Sequence, residues 1–356
     1  MQKFFSDNDT KSALEAQYEA QKIAFAPIIF QVARSMRDLG ILELLFTHDK
    51  QGLTLIELEK MTTLSKYALQ VLLETSLSAD IVKITTEQRY HITKTGYFLL
   101  KDTMTRTNMD YNHDVNYLGL YSLDEALQKG EATGLKVFGD WDTIYPALSS
   151  LPEKAQKSWF AFDHYYSDTA FDEALSILLK NHPKKILDIG GNTGKFSIRL
   201  AQEDTSLEVS IMDIPEQIEL AKTNIRQHGL EDRVNFIGSN VLDPMTIIPT
   251  GYDIVWMSQF LDCFKEEDII TLLKRVKESL QENALIYIME PLWDKQRFET
   301  AAYCIINTSP YFTTMANGYS KMFNSEDMLS YIHQAGLNVV EEVDNVGICQ
   351  SILICK

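Results

Sequence analysis

Apolar positions change their spacing along the chain. Over the first hundred residues they recur every three or four positions, the period of a helix with one buried face. Ile28, Val32, Met36 and Leu39 form such a stripe, which Gly40 interrupts. LTLIELEKMT and SKYALQVLLETSLSADI predict two further helices. VKITTEQRYHITKTG then offers two short β-rich runs around a polar turn, as a hairpin does. Three helices and a wing predict a winged helix over residues 1–104. Residues 105–180 return to a helical period, dense in aromatics: Trp159, Phe160, Phe162, Tyr165, Tyr166 and Phe171. From residue 181 the pattern alternates. KILDIG, EVSIMD, RVNFIG, YDIVWMSQ and ALIYIME read as buried strands, with helices between most of them and a shorter crossover after RVNFIG whose pattern marks no definite element. Such alternation predicts an α/β domain with a mostly parallel sheet covered on both faces. SEDMLSYIHQAG, LNVVEEVDN and SILICK end the chain as a helix and a hairpin, bringing the sheet to seven strands.

Composition narrows the function more than the fold. The chain has 356 residues and a formal net charge of -17, which disfavours nucleic acid and anionic membrane surfaces as partners. The helix in the recognition position of the winged helix carries one lysine and no arginine, too little for base readout. It is therefore expected to serve subunit contact, with an apolar helix from about Ile23 to Phe46 as the dimer element. Four cysteines without CxxC spacing argue against structural zinc or a disulfide framework. The N-terminus has no apolar leader, and the longest apolar runs are too short to span a bilayer. A cytoplasmic protein is expected.

The stretch KILDIGGNTGKFSIRL is where chemistry enters. Its glycine turn lies between a predicted strand and a predicted helix. Lys195 is followed by Phe196, so the turn is not a P-loop; Asn192 and Lys195 break the dinucleotide fingerprint. What remains is Asp188, Gly190 and Gly194 in the spacing D-x-G-x-x-x-G. Asp188 at the strand end would brace the turn through backbone N–H groups. Asp213 ends the next strand, where a carboxylate can accept hydrogen bonds from both ribose hydroxyls. A ribose-bearing ligand without phosphates fits S-adenosylmethionine (SAM).

MDIPEQIELAK, GSNVLDP and MSQFLDCFKEEDIITLLKRVKESLQENALIYIMEP resemble the two-domain small-molecule O-methyltransferases, the group of the plant phenolic and animal hydroxyindole enzymes. LTLIELEKMT, RYHITKTGYFLL and LDEALQKGEATGLKVFG resemble that family's dimerisation half. The resemblance implies a class I SAM-methyltransferase fold, Rossmann-like, with a C-terminal antiparallel hairpin and an N-terminal winged-helix dimerisation domain in a homodimer. It implies that Gly190, Gly191 and Gly194 lie under the methionine part of SAM and that Asp213 holds the ribose. Ile214, Asn240 and Val241 would flank the adenine, with Asn240 replacing the usual aspartate. Ser258 stands where many members carry lysine. No metal is expected, and the product would be S-adenosylhomocysteine.

The catalytic positions depart from the family. Its LHDW motif reads LDCF here, so the base histidine becomes Asp262. One family glutamate persists as Glu290; the second aligns with Met322. Methyl transfer needs no general acid, because the sulfur leaves neutral, but a phenol must lose its proton. Asp262 would take it, or His164 in its place. Trp159, Phe162, Tyr166 and Trp293 would line an aromatic acceptor pocket. Oxygen is the expected acceptor atom, with ring carbon and nitrogen as alternatives. A protein that binds SAM without transferring its methyl is the alternative of another class.

Overall fold

The computed structural model describes residues 8–356. The expectation of no secretory leader rests partly on residues 1–7, which lie outside the described residues. Two compact units divide between Asn112 and His113. The boundary expected after residue 104 falls inside the helix Thr103–Tyr111, which stays with the N-terminal unit. That helix starts cleanly because the Asp102 carboxylate accepts from the Thr105 N–H at 2.8 Å.

In the N-terminal unit the helices Leu55–Met61 and Lys66–Ser78 precede an antiparallel wing, β1 (Val82–Ile84) and β2 (Tyr90–Ile92). The segment expected as one helix from Ile23 to Phe46 is two, Ala13–Asp38 and Ile41–Thr47. Gly40 separates them at φ 77°, a left-handed conformation that ends the first helix. The first helix also begins earlier than its apolar stripe, where Ser12 and Glu15 form a reciprocal cap. Met36 is fully buried with Ile41, Leu42, Leu45, Leu58, Leu69 and Leu73. Ile28 and Leu39 of the same stripe stay exposed, as do Leu14, Tyr18, Ile23 and Phe25.

The C-terminal unit is built on seven strands: β3 (Lys185–Ile189), β4 (Glu208–Asp213), β5 (Val234–Gly238), β6 (Ile254–Ser258), β7 (Leu285–Glu290), β8 (Val339–Val346) and β9 (Gln350–Cys355). Their spatial order is β5-β4-β3-β6-β7-β9-β8. The first five are mutually parallel; β9 pairs antiparallel with both β7 and β8. Alternate strand residues feed two cores. Ile186, Val209, Ile211 and Trp256 pack under the helices Phe171–Leu178, Lys195–Glu203 and Pro215–Gln227. Leu187, Ile189, Met212, Val255 and Ile288 pack under Glu266–Ser279 and Ser325–Gln334. No regular helix crosses from β5 to β6; that loop is held by Arg275, which donates to the carbonyls of Val241 and Thr246. Strand order reverses between β3 and β6, so a crevice opens at their carboxyl ends, where such sheets bind ligands.

Candidate functional site

Two turns meet over that crevice, one after β3 and one after β6. In the first, Gly190 adopts φ 78° and Asn192 φ 49°. A Cβ on Gly190 would sit 2.2 Å from the Phe260 ring of the second turn. The glycine thus serves a close packing of turn on turn as well as backbone freedom. A Cβ on Gly191 would lie 2.9 Å from the Asp188 carboxylate. Gly194, at φ 75°, opens the helix Lys195–Glu203.

The bracing expected of Asp188 is made by Asp213 instead. Asp213 Oδ2 accepts from the Asn192 N–H at 2.9 Å and Oδ1 from the Ile214 N–H at 2.7 Å. Asp188 is buried and accepts from the Ser197 hydroxyl at 2.6 Å. Burial pushes Asp188 up to about 7, with the nearby Asp213 charge adding to it, and pushes Asp213 up to about 6.

Beside this turn is a cleft lined by Asp163, His164, Asp168, Asp188, Gly190, Gly191, Asn192, Lys195, Ser258 and Gln259 among others. It gathers Asp188, Gly190, Gly191, His164 and Ser258 from the residues that sequence singled out. Gly194, Asp213, Ile214, Asn240 and Val241 lie outside its lining. Asn240 is exposed on the turn after β5, where its side chain accepts from the Leu242 N–H at 2.9 Å; Val241 beside it is buried.

The second turn carries Asp262, 4% exposed. Glu290, at the end of β7, pins this turn: its Oε1 accepts from the N–H groups of Phe260 and Leu261 at 3.0 and 2.8 Å. Burial lifts Asp262 to about 7, and burial with the adjacent Asp262 charge lifts Glu290 well above the usual carboxylate range. Met322, aligned with the family's second glutamate, is buried and supplies no charge.

Tyr145 and Asn317 lie beside the turn of Asp262, and a group of aromatics continues from them. Trp159 Nε1 donates to the Tyr311 hydroxyl at 2.6 Å. Asn317 Nδ2 donates to the Cys263 carbonyl at 2.8 Å and approaches the Tyr145 hydroxyl at 3.4 Å. Burial, with Cys263, Tyr311 and Asp262 close by, holds the Tyr145 phenol well above its ordinary pKa. Phe162 and Tyr166 pack ring on ring at 4.8 Å, and Trp293 follows β7 on a short turn.

His164 belongs to the cleft of the first turn. Burial and the Lys195 charge depress its basicity, and its Nε2 is buried without a partner. The group of this helix that feels Asp262 is its neighbour Asp163, which burial and the charges of Asp262 and Asp168 raise to about 7. Asp163, Tyr145, Tyr311 and Asn317 escaped the sequence reading. Asp163 stands beside His164 in FDHYYSD, where histidine took the attention; Tyr145 lies in DTIYPALSS, which has no period to mark it.

Taken together, five carboxylates (Asp163, Asp168, Asp188, Asp213, Asp262) border the two turns, and Lys195 is paired with Asp168. This field suits a cationic ligand, and a sulfonium such as SAM is one. Among the described residues no cluster of three His, Cys, Asp or Glu side chains is arranged to hold a metal ion. Nor is any described helix long and apolar enough to cross a membrane.

Two family models match the chain: a Dimerisation2-like domain over residues 17–90 and an O-methyltransferase domain over residues 155–336. The L-tyrosine C(3)-methyltransferase of Streptomyces lavendulae is 26% identical over 274 residues, covering 76% of this chain and 73% of that protein. The N,N-dimethyltransferase OxyT of Streptomyces rimosus is 28% identical over 228 residues, 63% of each chain. The fold matches the crystal structure of the S-adenosylmethionine-dependent methyltransferase SibL with a TM-score of 0.70, at 22% identity, over 94% of this chain and 97% of that one.

Proposed function

Because this chain belongs to the O-methyltransferase family and is a SAM-dependent methyltransferase of small molecules, we propose that it methylates an aromatic acceptor at oxygen with Asp262 as the base. The observation that carries this reading is the placement of Asp262, 4% exposed on a turn that Glu290 pins. A carboxylate at its ordinary pKa of about 3.9 is some 6 units short of a phenol near 10. At about 7, Asp262 is as basic as a free histidine, and the remaining gap of about 3 units corresponds to about 4 kcal/mol. Burial thus restores to an aspartate the basicity that the family's histidine has by nature.

Bound SAM supplies an electrophilic methyl whose carbon–sulfur bonding pair returns to a neutral thioether. The acceptor oxygen forms the new bond, and its proton passes to Asp262. Glu290 fixes Asp262 by holding the backbone before it. Tyr145, Tyr311, Trp159 and Asn317 give a ring-shaped acceptor apolar surface with a polar edge, joined by Phe162, Tyr166 and Trp293. Asp213 holds the ribose, Ile214, Asn240 and Val241 flank the adenine, and Gly190, Gly191, Gly194, Asp188 and Ser258 shape the methionine end.

Methylation of a ring carbon is the second reading, favoured by the tyrosine C(3)-methyltransferase relative; nitrogen follows from the N,N-dimethyltransferase. A phenolate shares its charge with its ortho carbon, so the same Asp262 serves the first two. The Dimerisation2-like match and the exposed apolar face of the first helix support a homodimer. The free thiols of Cys263, Cys349 and Cys355 support a reducing, cytoplasmic setting. The test is transfer of labelled methyl from SAM to a panel of phenols and aromatic amines, with the product's methyl position mapped. An O-methyl product supports the reading; a C- or N-methyl product moves the acceptor atom, and no transfer to any aromatic contradicts it.

A further inference from the structure

Asp163 is the carboxylate of the cleft that the family pattern leaves without a task. The others are occupied: Asp188 by the Ser197 hydroxyl, Asp213 by two backbone N–H groups, Asp168 by Lys195. Asp163 receives a single neutral donor, Asn192 Nδ2, at 3.2 Å. It faces like charges from Asp262 and Asp168, against Lys195 alone as a cation. A half-buried carboxylate so placed is under-compensated and calls for a positive partner.

Asn192 points the same way. Because Asp163 takes the donor end of its amide, the acceptor end is fixed as Oδ1, and that atom is buried without a partner. Its backbone is held at φ 49°, and its N–H is committed to Asp213. A residue kept in that conformation with an unmet buried acceptor is arranged for a ligand that donates. Asp163 and Asn192 therefore offer two adjacent acceptors on the wall of the cleft that contains Gly190 and Gly191.

We infer that Asp163 and Asn192 form the seat of the α-ammonium of the cofactor's methionine end, resting on the assignment of SAM to this cleft. A tetrahedral ammonium carries three donors and a full charge. It would answer the carboxylate and the orphan amide oxygen together. Lys195, on the same cleft, supplies the opposite sign that the methionine carboxylate needs. The seat links the two turns: Asp163 touches the first through Asn192 and feels Asp262 on the second, so the sulfonium end lies between them.

The test compares two ligands that differ by the amino-acid end. S-adenosylhomocysteine carries the ammonium; methylthioadenosine keeps the thioether and nucleoside without it. Titration calorimetry is run on wild type, Asp163→Asn and Asn192→Gly. The first variant keeps shape and a hydrogen bond to Asn192; the second suits a left-handed backbone, so both are expected to fold, with melting curves as the control. The expected result is a ten- to hundredfold (~) loss of S-adenosylhomocysteine affinity in both variants with methylthioadenosine affinity unchanged. Equal losses for the two ligands, or no loss for either, overturn the seat while leaving the cofactor in place. A shift confined to the acceptor's KM overturns it in favour of an acceptor contact. Wild-type protein that binds neither ligand contradicts the cofactor assignment itself, and the seat with it.

Discussion

At the scale of single residues, the site is a question of which carboxylates stay charged and what each is charged for. Asp213 has both oxygens on backbone N–H groups and retains lone pairs for a ribose. Replacing it with alanine frees the Asn192 N–H and, on the proposed assignment, takes away the ribose acceptor as well. We expect Asp213→Ala to weaken SAM binding by about ten- to hundredfold in calorimetry; unchanged affinity would contradict the assignment. The place of Asp213 at a strand end and of the glycines in a turn was legible because an apolar run ending in an acid, or in glycine, announces a strand end. The division of labour between Asp188 and Asp213 was not, because both stand near strand ends in sequence, and only the fold shows that Asp213 closes β4 beside the turn while Asp188 sits one residue inside β3 against Ser197. Asp163 was illegible for a related reason. Its neighbour His164 has the more suggestive side chain, but the helix turns Asp163 towards Asp262 and leaves His164 with Lys195 and Asp168.

Among the elements, the strand–turn–helix alternation was readable almost throughout, since two buried sheet faces require continuous apolar strands. The β5-to-β6 crossover, whose sequence showed only that it is short, has no regular helix, and Arg275 donates to the loop carbonyls of Val241 and Thr246 instead. The N-terminal unit was read less fully. Gly40 marks the end of the apolar stripe in the sequence, but a second helix follows it at once, and the S-x-x-E signature at Ser12–Glu15 starts the first helix well before the stripe. The unit boundary was missed because Asp102 caps a new helix without any change of composition. Gly40 meets nothing within 4 Å of an added Cβ, so its role is purely conformational. Gly40→Ala is accordingly expected to lower unfolding free energy by about 1 kcal/mol, through left-handed strain alone. Urea titration checks this; a neutral or stabilising change would mean that the break between the two helices is not set by Gly40.

For the whole molecule, the concentration of acid in one crevice has a consequence for folding. Asp163, Asp188 and Asp262 titrate near 7 in the folded protein and near 4 when unfolded. The folded state therefore holds more protons between those values, and stability falls as pH rises from about 4 to 7. Ligand-free protein should lose on the order of a few kcal/mol across that window, with added SAM restoring part of it at pH 7 and above. Melting temperatures with and without SAM at several pH values test this; a stability that rises from pH 5 to 7 would contradict it. The same titration governs turnover, and it bears on the central claim that Asp262 is the base. The decisive measurement is the pH dependence of methyl transfer by wild type and by Asp262→Asn at saturating SAM. The account predicts a wild-type rate that climbs with pH and levels off near 7, and a variant slower by about 10²–10⁴-fold that has lost this inflection while still binding SAM. A variant with the wild-type rate and profile would contradict it.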